Sequence, residues 1–222
     1  MYAISGVTGQ VGGATIAALL QQGHKVRAVM RDAARAQALE AQGAEIAVAD
    51  LADAQSLTRA FEGVEGAYVM IPPDFAPAEG YPLARKVAGA LTAALTAARV
   101  PKVVALSSVG AQRDSGLGLI TQVHLLEQAL AALPATTASA MLRPAWFMEN
   151  SAWDIAPARD NGEMPAFLAP LDRPYPMVAT ADIGAVAART LAQHWSGRRV
   201  IEIEGPRRYS QNDIAVLLGK AL

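Results

Sequence analysis

Residues 2–16 read YAISGVTGQVGGATI. A short apolar run (Tyr2, Ala3, Ile4) passes into three glycines spaced three apart, Gly6, Gly9 and Gly12, and then into a helical pattern. In a strand-loop-helix setting each glycine has a separate task. Gly6 permits the tight turn, Gly9 lets the backbone approach a pyrophosphate, and Gly12 lets the helix pack closely on the strand. The free N–H groups at the helix start then face the phosphates, where the helix dipole also favours negative charge. Gly6, Thr8, Gly9, Gln10, Val11 and Gly12 are therefore candidate dinucleotide ligands, with a purely structural glycine turn as the alternative.

The same alternation continues downstream. Strands are read near 1–5, 25–30, 45–48, 66–71, 102–106, 139–143 and 199–203, and helices near 10–22, 33–42, 54–61, 82–98, 121–132, 182–194 and 210–221. Asp32, Asp53, Asp182 and Ser210 are placed to cap helices, and Gly23, Gly43 and Gly63 to end them. Alternating strands and helices predict an α/β protein with a doubly wound, mainly parallel sheet. Residues 1–150 are expected to form the nucleotide-binding core. Residues 151–222 are expected to add a small substrate lobe plus a helix and strand that return to the core, in one structural unit. Five prolines at 157, 165, 170, 174 and 176 predict that 151–179 is irregular.

Composition narrows the function. The chain has 222 residues, 52% of them hydrophobic and 18% charged, enough to bury a substantial core. Nineteen Lys and Arg against 20 Asp and Glu leave a net charge of −1, which supplies no footprint for nucleic-acid phosphates or an anionic membrane. The absence of cysteine excludes disulfides, thiolate metal sites and cysteine nucleophiles. No cluster of His and carboxylates has metal-ligand spacing, so no metal is expected. With no basic leader before the first strand and no run of roughly 18 apolar residues, a cytoplasmic location is expected.

At the end of the second strand, where an acidic residue would accept hydrogen bonds from an NAD ribose, the sequence is Val29-Met30-Arg31-Asp32. Arg31 offers a planar fork suited to a 2′-phosphate and favours NADP(H). NAD(H) remains the alternative, through Asp32. Asp50 and Leu51 follow the third strand beside the expected adenine position, and Ile71 and Pro72 close the fourth as a wall without a donor. Ser107 and Ser108 follow the fifth, with strand-end capping as their structural alternative. Arg143-Pro144 ends the sixth, and Trp146, Phe147 and Asn150 follow as apolar wall and polar clamp, or as core.

These motifs, together with residues 34–66, LSSVGAQ (106–112), the helix carrying His124 and Glu127, LRPAWFMEN (142–150), ATADIGAVAA (179–188) and IEGPRRYS (203–210), resemble the NmrA-like family of atypical short-chain dehydrogenase/reductases. The likeness covers most of the chain and is nearest to the family's NADPH-dependent quinone oxidoreductases. It implies a Rossmann fold, a bound NAD(P), a small-molecule acceptor and the Ser107/Ser108 position near the nicotinamide. Members of the family continue beyond the point matching Leu222, so the cleft is expected to be open or the chain to be part of a longer one.

The departures are specific. Short-chain dehydrogenases use a tyrosine acid with a lysine four residues on, and Tyr2, Tyr68, Tyr81, Tyr175 and Tyr209 all lack that lysine. The helix that would carry the pair reads Ile120-Thr-Gln-Val-His124. His124 is then the candidate proton donor beside Ser108, with a merely structural histidine as the alternative. Three functions follow from the resemblance: NADPH-dependent reduction of a quinone-like or conjugated acceptor, a non-catalytic NADP(H)-sensing regulator with a protein partner, and, ranked last, an epimerase or isomerase. Homo-oligomerisation is left open.

Overall fold

The computed structural model describes all residues, Met1–Leu222. Strands β1 (Tyr2–Ser5), β2 (Val26–Met30), β3 (Glu45–Val48), β4 (Gly66–Val69), β5 (Lys102–Leu106), β6 (Ala138–Pro144) and β9 (Arg198–Ile203) form one seven-stranded parallel sheet. The order is β3-β2-β1-β4-β5-β6-β9. The order reverses between β1 and β4, opening a crevice at the carboxyl ends of these strands, where open α/β sheets bind ligands. All seven strands read from the sequence are present.

Alternate residues of the strands feed two cores. On one face, Ala3, Val69, Val103 and Met141 meet α3 (Ala54–Phe61), α4 (Pro82–Ala97) and α5 (Thr121–Leu130) through Leu57, Phe61, Leu91, Leu95 and Leu126. On the other, Ile4, Ala28, Tyr68 and Leu142 meet α1 (Gln10–Gln21) and α7 (Thr180–Ala192) through Ile16, Leu19, Ile183 and Leu191. A Cβ on Gly184 would come within 2.5 Å of the Ala14 Cβ, so this glycine of the DIG segment allows α7 to lie directly on α1. No helix is long and apolar enough to cross a membrane.

The sequence reading is corrected at three places. Residues 33–42 do not form one helix: a 3-10 turn, Ala33–Arg35, precedes a short α2, Gln37–Ala41. The sixth helix read from the sequence starts earlier than residue 182, with Ala179 as its cap position. The Glu149 carboxylate, not Asp182, serves its first turn, accepting from the Thr180 N–H at 2.9 Å and the Thr180 hydroxyl at 2.7 Å. The stretch 151–179 is also more regular than its prolines suggest. A 3-10 segment, Met148–Asp154, leads into α6 (Ile155–Asn161), and β8 (Tyr175–Val178) pairs with β7 (Trp146–Phe147) and β10 (Arg208–Tyr209) in a second sheet. Pro157 lies in the first turn of α6, where a helix N–H has no partner to lose. The capping box of Ser210 and Asp213 starts α8 (Gln211–Ala221).

Candidate functional site

The glycine loop joins β1 to α1 at the point where the strand order reverses. Gly6 has φ +65°, which an L side chain rarely adopts, and a Cβ there would press on Met70 at 2.9 Å. Gly12 is fixed by packing: its Cβ would lie 2.2 Å from the Gly6 carbonyl oxygen, backbone on backbone. Gly9 is different, with ordinary dihedrals (φ −92°, ψ 167°) and a nearest contact of 3.3 Å. That contact, with the Gly6 carbonyl oxygen, is tight, so a side chain at Gly9 asks the backbone to give by a few tenths of an ångström, far less than at Gly12. No side chain caps α1, and the first helical hydrogen bond runs from Gly13 N–H to Gly9 O. The N–H groups of Gln10, Val11 and Gly12 thus have no partner within the chain, which makes a helix end suited to an anion.

Arg31, just past β2, is exposed and makes no ion pair or hydrogen bond within the chain. Asp32 beside it accepts from the Ala34 N–H at 2.9 Å, capping the 3-10 turn. Asp50 likewise serves its own turn, accepting from the Ala52 N–H at 2.8 Å, while Leu51 packs against the core. Ile71 is buried and Pro72 exposed at the exit of β4. Pro144 is buried, and its carbonyl accepts from Val109 N–H at 3.1 Å, tying the end of β6 to the loop after β5.

Ser107, at the end of β5, is buried and its hydroxyl donates to the Glu127 carboxylate. Glu127 also forms a bidentate pair with Arg143, at 2.9 Å to Nε and 2.6 Å to Nη2, the two side chains only 13% and 12% exposed. The carboxylate holds the Arg143 guanidinium above its ordinary pKa. Because its proton is committed to Glu127, the Ser107 oxygen faces other partners as an acceptor. Ser108 is half-buried and donates to the Val109 carbonyl at 3.0 Å. His124, one turn before Glu127, makes no bond to it. Its Nδ1 lies 2.7 Å from the Ala111 carbonyl oxygen. A carbonyl can only accept, so Nδ1 carries a proton and the neutral ring presents Nε2 as an acceptor.

Trp146 and Phe147 form β7, and alternation turns them to opposite sides: Phe147 packs on the core around α7, and Trp146 does not. Asn150 is half-buried and forms no hydrogen bond within the chain. Three of the tyrosines are buried or bonded away from Ser107 and Ser108. Tyr68 is fully buried, without a partner, and burial pushes its phenol up. Tyr81 donates to the Gly118 carbonyl and Tyr175 to that of Ala169.

Sequence reading missed the Glu127–Arg143 pair, although a lone arginine in the apolar run Ala138–Pro144 was the available signal, because a buried charge requires a partner. It also missed Gln122, a buried amide on α5. Gln122 accepts from the Asp74 N–H at 3.1 Å and donates to the Asp74 carbonyl at 2.9 Å, anchoring the loop after β4.

A doubly wound parallel sheet with an uncapped glycine loop at its switch point defines the Rossmann class. Within it, this chain belongs to the NmrA-like family, whose model matches residues 2–222. It is 30% identical over 223 residues to quinone oxidoreductase 2 of Escherichia coli (strain K12), covering 99% of this chain and 74% of that protein. It is 28% identical to an NAD(P)H azoreductase of Xenophilus azovorans, covering 100% of this chain and 73% of that one. The crystal structure of the E. coli NADPH-dependent quinone oxidoreductase complexed with NADPH superposes with a TM-score of 0.82 at 28% identity, covering 100% of this chain and 75% of that one.

Proposed function

We propose that this chain is an NADPH-dependent oxidoreductase whose acceptor is a quinone or a similarly conjugated, electron-poor molecule. The observation that carries the reading is the conjunction, at one sheet edge, of the unpartnered amides of Gln10, Val11 and Gly12 with the free guanidinium of Arg31. The amides and the positive end of α1 suit a pyrophosphate, and Gly9 leaves its approach open. Arg31 suits a 2′-phosphate, while Asp32, the carboxylate that would accept from a 2′-hydroxyl, serves the Ala34 N–H through one of its oxygens. NADP(H) is accordingly preferred to NAD(H). That the E. coli and Xenophilus relatives are a quinone oxidoreductase and an azoreductase supports the same class of reaction.

When bound, reduced nicotinamide supplies the hydride. The chain's own groups position and screen. Asp50 and Leu51 flank the adenine side, and Ile71 and Pro72 offer a wall without a donor. The Ser107 oxygen, its proton held by Glu127, accepts from the carboxamide, and Pro144 closes the β6 side. Trp146, Phe147 and Asn150 border the acceptor. Ser108 or solvent delivers a proton, and His124 can do so only as imidazolium, from Nε2. No tyrosine followed by lysine serves as acid. A conjugated acceptor tolerates this, because incoming charge spreads over its ring and the demand shifts from acid catalysis to proximity.

Calorimetric titration with NADPH, NADH and NADP⁺ tests the reading. NADPH is expected to bind about one to two decades more tightly than NADH, from a charge-assisted fork worth roughly 1.5–3 kcal/mol. NADP⁺ binding clearly better than NADPH, with no acceptor reduced, would instead favour a sensor of the cofactor's redox state.

A further inference from the structure

Two aromatic rings stand out of the surface where the loop after β4 meets the smaller lobe. Phe75 is 65% exposed and Trp153 is 55% exposed, yet they touch edge to face, with centroids 6.1 Å apart and planes at 87°. They belong to different parts of the molecule. Phe75 lies four residues past Ile71, on the segment whose Met70 abuts Gly6 of the glycine loop. Trp153 is the last residue but one of the 3-10 segment that follows β7, beyond the carboxyl end of β6. Their contact thus ties the loop after β4 to the segment that follows β7.

The pair is held on firm supports. Gln122 bonds both backbone groups of Asp74, and the Asp74 carboxylate accepts from Ala76 N–H at 3.0 Å, fixing the backbone on either side of Phe75. Tyr81 ties the far end of the same loop to Gly118. Asp154, next to Trp153, is buried. Two large rings fixed by their backbones but left mostly in water bury little apolar surface for the fold, and exposed apolar area of this kind marks a binding surface. Ring faces free of charged partners suit a flat, uncharged π-system, which stacks favourably in an offset or edge-to-face arrangement.

We propose that Phe75 and Trp153 form an aromatic jaw that admits and stacks a planar, two-ring conjugated acceptor. This deepens the function proposed above and rests on it for the identity of the occupant. Entry of the ligand exchanges the ring-to-ring contact for ring-to-ligand contacts on both sides, so selectivity rises with the flat area of the acceptor. One-ring quinones, too small to span both rings, gain less.

The test separates binding from turnover. Binding of an uncharged naphthoquinone to the NADP⁺-loaded protein is measured by equilibrium dialysis for the parent, Phe75→Ala, Trp153→Ala and the conservative Phe75→Tyr, alongside KM and kcat for NADPH oxidation with naphthoquinone and benzoquinone. Each alanine variant is expected to weaken naphthoquinone binding about tenfold and raise its KM to match, with kcat and NADPH affinity unchanged and a smaller effect on benzoquinone. Phe75→Tyr restores binding. Naphthoquinone affinity that is the same in the parent and both folded alanine variants overturns the jaw. If the parent binds naphthoquinone through these rings but turns over no acceptor, the jaw stands and the oxidoreductase reading falls.

Discussion

Gly9 and Gly12 look alike in the sequence, but the structure gives them opposite responses to a side chain. A Cβ at Gly12 would sit 2.2 Å from the Gly6 oxygen, 2.6 Å from the Gly6 carbonyl carbon and 3.0 Å from the Ser5 oxygen. All three are backbone atoms of the strand end and its turn, so relief requires moving α1 away from β1 by about 1 Å, across a core that contains Val11, Ile16 and Leu19. Helix propensity alone would make Gly12→Ala stabilising by about 1 kcal/mol. Overpacking that forces backbone to move lies at or above the upper end of the typical 1–3 kcal/mol, so the clash wins: about 3 kcal/mol less about 1 leaves a net loss of about 2 kcal/mol. For a chain of this size that is roughly 4–8 °C in Tm. At Gly9 the nearest atom, the Gly6 oxygen, is 3.3 Å away and the dihedrals are ordinary, so Gly9→Val is expected to lower Tm less than Gly12→Ala while losing cofactor binding, because its side chain takes the space of the pyrophosphate. Thermal melts by circular dichroism and NADPH titrations on both variants supply the check. A Gly12→Ala protein as stable as the parent would refute the packing argument. A folded Gly9→Val protein that binds NADPH normally would reduce the loop to a turn.

Three further outcomes are expected. Arg31→Ala removes most of the preference for NADPH over NADH in paired titrations, because no other partner of Arg31 within the chain is lost. Glu127→Gln leaves the Arg143 guanidinium buried without its bidentate carboxylate partner, at a cost of about 3–5 kcal/mol in denaturant unfolding, whereas the double replacement Glu127→Gln, Arg143→Met recovers part of it. Burial raises the Asp154 carboxyl above its ordinary pKa, so the folded state binds its proton more tightly than the unfolded chain does. Its contribution is full below the unfolded value near ~3.9 and is lost as pH rises through the folded one. Asp154→Asn should therefore raise Tm at neutral pH, with the gain shrinking toward the acid end of a pH series.

The sheet and the glycine loop at its switch point are legible in the sequence because both are written locally. Most β-strands of the large sheet are compact apolar runs, and Gly6, Gly9 and Gly12 fall in one short segment. What escaped depends on distant partners or on residues whose propensity misleads. Pro174 and Pro176 conceal β8, which exists because β7 and β10 meet it with partners 31 or more residues away in each direction. Asp182 has the right chemistry for a cap, but Glu149, 31 residues before Thr180, reaches the helix first. Glu127 and His124 share a helix face in sequence spacing, yet the strand arginine takes the carboxylate and a loop carbonyl takes the imidazole. Phe75 and Trp153 carry no mutual signal at all, since only the fold brings the two loops together.

The central claim is that hydride leaves NADPH for conjugated acceptors without a tyrosine acid. It is tested most directly by one NADPH-consumption assay across small quinones, enones, and aliphatic ketones. Ketone reduction places charge on an oxygen that must be protonated as hydride arrives, and lacking a positioned acid forfeits typically ~10²–10⁴ in rate. The account predicts measurable turnover of quinones, with aliphatic ketones slower by at least about two decades. Equal rates on quinones and ketones, or no turnover of any quinone by a protein that binds NADPH, would contradict it.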